Sequence, residues 1–188
     1  NLADFGADWY AGNAHKWLFT PKGCGFLYTA PRWQAQTQPL VISWGRGEGY
    51  TAGFDWPGTR DLSNWLAIPT ALDFYRDLGP AALRRHNHDL AWTAGRLLAQ
   101  TWGVPCATPE ALIGAMMTLP LPEPWHGRPH LAQAIHDQLL HRYRIEVPIV
   151  PFGDRLWLRI SAQVYNHLGE YERLAEVFTA SGGFDLTG

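Results

Sequence analysis

Up to about residue 60 the apolar positions come in short runs separated by turn residues, and from Asp61 they recur at helical spacing. Asp8–Ala11 reads as a short strand ended by Gly12-Asn13, and Gly25–Ala30 as a buried strand stopped by Pro31. Leu40–Ser43 is another apolar run. Gly45, Gly47, Gly49, Gly53, Pro57 and Gly58 then mark a loop too glycine-rich to be regular, while Trp44, Tyr50, Phe54 and Trp56 argue against disorder there. Asp61 or Ser63 caps a helix carrying Leu62, Trp65, Leu66, Ala71, Leu72 and Tyr75 to Gly79, with a kink expected at Pro69. Pro80 opens a second helix, whose stripe of Leu83, Leu90, Ala94, Leu97 and Leu98 runs to Gly103. Strands are predicted near Val104 and over Ala115–Leu119, and a proline-rich turn over Pro120–Pro129. A helix over His130–Tyr143, strands over Glu146–Val150 and Arg155–Ile160, and a helix over Gly169–Thr179 follow. From about residue 80 this order describes a small α+β layer.

Composition narrows the class. The 188 residues are 46% apolar, enough for a core, and only 17% are charged, against about 25% in an average soluble domain. Ten tryptophans exclude a disordered chain as the main state. A net charge of −2 gives no basic footprint for nucleic acid, and no apolar run reaches the ~18–20 residues of a membrane span. Cys24 and Cys106 stand alone, without the spacing of a disulfide framework, so a reducing cytoplasm is the expected location. The chain begins at Asn1 and its methionines are Met116 and Met117, so it is expected to be processed or to be a piece of something longer.

Three segments are candidates for chemistry. In Gly12-Asn13-Ala14-His15-Lys16-Trp17 a lysine sits in a turn between two apolar strands. A lysine among apolar and aromatic groups loses proton affinity by desolvation, and a neutral amine is what Schiff-base chemistry requires. A snorkelling surface lysine is the other reading. In Trp56-Pro57-Gly58-Thr59-Arg60-Asp61 the amides and hydroxyl just before a helix suit a phosphate, or equally an ordinary N-cap. In Leu158-Arg159-Ile160-Ser161-Ala162-Gln163-Val164-Tyr165-Asn166, Arg159 shares the more polar strand face with Trp157 and Ser161. It can hold a carboxylate through two parallel hydrogen bonds, or form a structural ion pair.

In register, GNAHKW…PKGCGFLY, WPGTRD and LRISAQVYN resemble class V aminotransferases of the isopenicillin N epimerase-like type, which are fold-type I pyridoxal-phosphate enzymes. The resemblance runs from about Leu2 to Phe178. It implies an α/β and α+β fold, with the C-terminal part of a large cofactor-binding domain over residues 1–78 and a small α+β domain over residues 79–188. It implies pyridoxal 5'-phosphate held covalently as a Schiff base by Lys16, with Asn13 and His15 against the cofactor phosphate. Thr59 would reach the cofactor phosphate of a second subunit, which makes a homodimer the expected assembly, and Arg159 would bind the α-carboxylate of a small amino-acid substrate. Lys16 would serve as the base at the substrate α-carbon, leading to epimerisation, transamination or elimination.

Cysteine desulfurases and selenocysteine lyases of this family are disfavoured, because Tyr143–Pro148 contains no cysteine. His86, His88, His126, His130, His136 and His141 show no metal-ligand spacing, so no metal is expected. The family's aspartate for the pyridine nitrogen lies well upstream of the lysine, and Asp4 and Asp8 are too near Lys16 to be it. The chain is therefore expected to be a C-terminal fragment that is inactive alone. The alternatives are a catalytically silent scaffold or interaction domain of the same fold, and an unrelated small α+β enzyme.

Overall fold

Two units form along the chain, Asn1–Leu78 and Gly79–Gly188, in a computed structural model that describes residues 2–125, 127–179 and 184.

The first unit opens with the short helix α1 (Leu2–Phe5), then β1 (Trp9–Asn13) and β2 (Gly25–Thr29). The two strands pair antiparallel, with Trp9 opposite Thr29 and Asn13 opposite Gly25. Gly12 is needed here, since a Cβ would lie 2.6 Å from the Phe26 ring. Aromatic groups brace the pair: Tyr10 lies 5.8 Å from Phe26, and Trp9 stacks on Trp33 at 5.3 Å. Pro31 ends β2 and starts α2 (Pro31–Gln34), where Arg32 pairs with Asp8. β2 is not the buried strand that its composition suggested. Phe26 and Leu27 are 49% and 44% exposed, because this sheet has only two strands and its cover is confined to the Thr29 end.

The glycine-rich segment is also more regular than its composition suggests. It contains α3 (Tyr50–Asp55), whose Tyr50 hydroxyl donates to Thr29 Oγ1 at 2.8 Å. Ser43 Oγ holds the helix by donating to the Ala52 carbonyl at 3.1 Å. Next come α4 (Ser63–Leu66) and α5 (Ile68–Asp77). Pro69 does not kink one helix. It sits in the first turn of α5, where its missing N–H costs nothing, and the break falls at Ala67.

The second unit consists of α6 (Pro80–Trp102), β3 (Met116–Pro120), α7 (Ala132–His141), β4 (Ile149–Phe152), β5 (Arg155–Ser161) and α8 (Leu168–Thr179). Gly103, at φ +66°, closes α6 by donating its N–H to the Ala99 and Gln100 carbonyls. Val104 forms no strand, since it lies between this left-handed cap and Pro105. The strand expected from Glu146 begins at Ile149, after Pro148, and the helix expected over His130–Tyr143 is α7 behind a single 3-10 turn at Pro129–Leu131. The antiparallel sheet has the order β3-β5-β4, so Pro120 and Pro151 lie on edge strands, where a missing donor is tolerated. Leu98 of α6, Leu119 of β3, Leu139 of α7 and Leu158 of β5 are fully buried in one core with Leu174 of α8.

Gly95 of α6 leaves no room for a side chain against β3: a Cβ there would lie 2.0 Å from Met117 Sδ, and Met117 is itself buried. Gly95→Ala is expected to destabilise the unit by about 1–3 kcal/mol by overpacking, despite alanine's better helix propensity. Adding Met117→Val should restore most of the loss. Urea denaturation of both variants checks this.

Candidate functional site

The lysine turn is built around one carbonyl. β1 ends at Asn13, and the Cys24 carbonyl just before β2 accepts the Ala14 N–H at 3.0 Å and a bond from His15 Nδ1 at 2.8 Å. A carbonyl only accepts, so Nδ1 carries the proton and Nε2 is left for another partner. Cys24 and Ala14 are buried, which pins the turn from beneath, and Thr20 N–H closes it on the Ala14 carbonyl at 3.4 Å. Phe19 adopts φ +64°, a conformation uncommon outside glycine, and its ring packs edge-on to Phe74 at 5.2 Å. Lys16 is exposed at the outside of this turn. Trp17 is exposed as well, so among the described residues of this unit Lys16 lacks the apolar enclosure expected from its neighbours.

Asn13, His15 and Lys16 are thus brought together on one turn, with Asn13 and Lys16 exposed and His15 half-buried. Thr59 lies in the same unit on the exposed bend Pro57–Thr59, and among the described residues its hydroxyl has no hydrogen-bond partner. The orphan amide at the start of α4 is met by Asp61, the residue before the N-cap Leu62: its carboxylate accepts the Ser63 N–H at 2.8 Å and the Ser63 hydroxyl, and these bonds hold it below the usual carboxylate range. Asn64 Nδ2 donates to the Lys22 carbonyl at 3.1 Å, tying the end of the Thr59 segment to the lysine turn. No motif pointed to Asn64.

Arg159 belongs to the second unit. It projects from β5 on the face opposite buried Leu158 and Ile160, into a cavity of about 260 Å3. Among the described residues its guanidinium has no ion-pair partner, so the structural ion pair is not formed. The strand end beside it is fixed by contacts that no spacing revealed. Tyr171 of α8 donates to the Ser161 carbonyl at 2.7 Å, and buried Asn87 of α6 donates to Gln163 Oε1 at 3.0 Å. Among the described residues there is no group of three or more His, Cys, Asp or Glu that could hold a metal, and His126 lies outside them.

This architecture is that of the fold-type I pyridoxal-phosphate-dependent enzymes. The solved complex of the cystine C-S lyase C-DES with cysteine persulfide superposes with a TM-score of 0.70 at 21% identity, covering 97% of this chain and 49% of that one. A variant of the same lyase, with glycine covalently linked to its PLP cofactor, superposes with a TM-score of 0.71 at 18% identity, covering 97% of this chain and 48% of that one. The family model Aminotransferase class-V matches residues 1–124, and the chain belongs to this family. Isopenicillin N epimerase of Streptomyces clavuligerus is 35% identical, over 97% of this chain and 49% of the relative. L-cysteine desulfhydrase of Arabidopsis thaliana is 31% identical, over 95% of this chain and 44% of the relative. The chain spans about half the length of the curated relatives it matches. No described helix is long and apolar enough to cross a membrane.

Burial pushes the Tyr171 hydroxyl up to about 12. Its folded value exceeds the unfolded value near 10, so its contribution is complete below pH 10 and falls away as pH rises through about 12. Tyr171→Phe is expected to cost about 1 kcal/mol at neutral pH through the unpaired Ser161 carbonyl. It should also remove this alkaline dependence, measured by denaturant unfolding at pH 8 to 11.

Proposed function

We propose that this chain carries the lysine-bearing part of a pyridoxal 5'-phosphate enzyme that removes a proton from the α-carbon of a small amino acid. That step is common to epimerisation and to elimination, and relatives named for each are 35% and 31% identical to the chain. The observation that carries the reading is the anchored turn, which presents an amine, an imidazole nitrogen and a carboxamide on Lys16, His15 and Asn13. This donor set fits an aldehyde that also bears a phosphate. Lys16 would hold the cofactor covalently, Asn13 would face its phosphate, and His15 would join it there by donating from Nε2 with both ring nitrogens protonated. Thr59 serves the phosphate bound by a second subunit, which makes the enzyme a homodimer. Two free thiols support a reducing, cytoplasmic setting.

When bound, the cofactor supplies an electron sink for negative charge at the α-carbon. Arg159 takes the substrate carboxylate in a bidentate grip and orients the bond to be broken. Lys16, released to its free amine, accepts the α-proton and returns it or passes it on. With about half of the relatives' length present, the remaining cofactor contacts fall outside these residues, and the chain alone is inactive.

The chain has two lysines, Lys16 and Lys22, both exposed, so one controls for the other. Treatment with pyridoxal phosphate and borohydride, followed by peptide mapping, should label Lys16 well above Lys22. Equal labelling would overturn the role given to Lys16. A stoichiometric visible band that is lost in Lys16→Ala would instead show that these residues suffice to hold the cofactor.

A further inference from the structure

The cavity beside β5 presents two unpaired guanidiniums where one carboxylate needs one, with Glu146 and Glu170 in the same lining. Arg144 lines it together with Arg159, and among the described residues neither guanidinium has a hydrogen-bond or ion-pair partner. The acidic groups on the same wall are already engaged. Glu146 Oε1 bonds His136 Nε2 at 3.0 Å, and Glu170 accepts Asn166 Nδ2 at 3.0 Å and the His167 N–H at 3.1 Å. Arg173, the third arginine of the wall, donates to the Tyr143 carbonyl at 2.6 Å.

Arg144 also holds φ +59°, and Phe19 in the lysine turn is the other described non-glycine residue at positive φ. Glycine or asparagine would occupy this conformation with less strain than an arginine does. Strain of this kind collects where a side chain is needed for more than local geometry. The cavity, about 260 Å3, lies below the roughly 300–1,000 Å3 of drug-sized sites, so its ligand is small.

We propose that Arg144 and Arg159 form a two-carboxylate subsite, so that the preferred substrate is an amino acid whose side chain carries a second carboxylate. Arg159 takes the α-carboxylate, and Arg144 takes the distal one. The inference rests on the reading of Arg159 given under Proposed function and deepens it by naming the substrate class.

The experiment titrates the full chain with glutarate and with butyrate, followed by calorimetry and by amide chemical shifts. Glutarate should bind about tenfold more tightly, the worth of one further charge-assisted pair. Arg144→Asn, which suits the left-handed backbone, should abolish that advantage and leave butyrate unchanged. Arg76→Gln, a charge removed from the other unit, should change neither. Equal binding of the two acids, a glutarate advantage that survives Arg144→Asn, or an equal loss in Arg76→Gln would each overturn the subsite. Failure of the underlying reading looks different: butyrate binding would then survive Arg159→Gln.

Discussion

The pleat of β5 is the constraint on which the second unit depends. β5 is hydrogen-bonded on both sides, and its Leu156, Leu158 and Ile160 are between 0% and 2% exposed. Burying side chains of this size is worth about 1.5–3 kcal/mol each, far more than any surface charge returns. A slip of one residue would turn all three outward and Arg159 inward. The outward position of Arg159 is therefore a consequence of core packing. Tyr171 and the Asn87–Gln163 pair then keep the end of the same strand from fraying.

The first unit solves a similar problem without a comparable core. Its buried apolar side chains are Ala14, Cys24, Ala30 and Ala71, all small. Order at the lysine turn comes instead from directional bonds converging on the Cys24 carbonyl and from the Phe19–Phe74 contact. Asn64 and Tyr50 extend this mode to the segments that follow, each by one hydrogen bond to the hairpin. Hydrogen bonds contribute little net free energy but specify geometry closely, so they can order a turn that has no large apolar core beneath it.

Elements governed by a local period were legible. The 23-residue α6 between Pro80 and Gly103 has its start and stop signals beside it in sequence, and β5 announces its two faces by strict alternation. α3 was missed because four glycines in ten residues outweighed Tyr50 and Phe54, whose i,i+4 spacing brings their rings to 5.0 Å. β2 read as buried because composition reports a strand's apolar content and not what stands over it. The residues that frame the candidate site but escaped the reading are joined across long separations: Asn64 to Lys22 over 42 positions, Asn87 to Gln163 over 76. Neither partner carries a signal of the other in its own neighbourhood.

The same division between placement and environment bears on Lys16. A strand-turn-strand can set where an amine stands, but lowering its proton affinity requires low-dielectric cover. Here Trp9, Tyr10, Phe26 and Leu27 are exposed on the hairpin, and Leu40, Ile42 and Trp44 are exposed beyond it. A two-stranded sheet is marginal in water by itself, and exposed aromatic side chains on it add no stability until something covers them. Lys16 and Trp17 follow β1 after Ala14 and His15 and are exposed as well. Covering the hairpin would bury aromatic area and so raise the stability of the turn that carries Lys16.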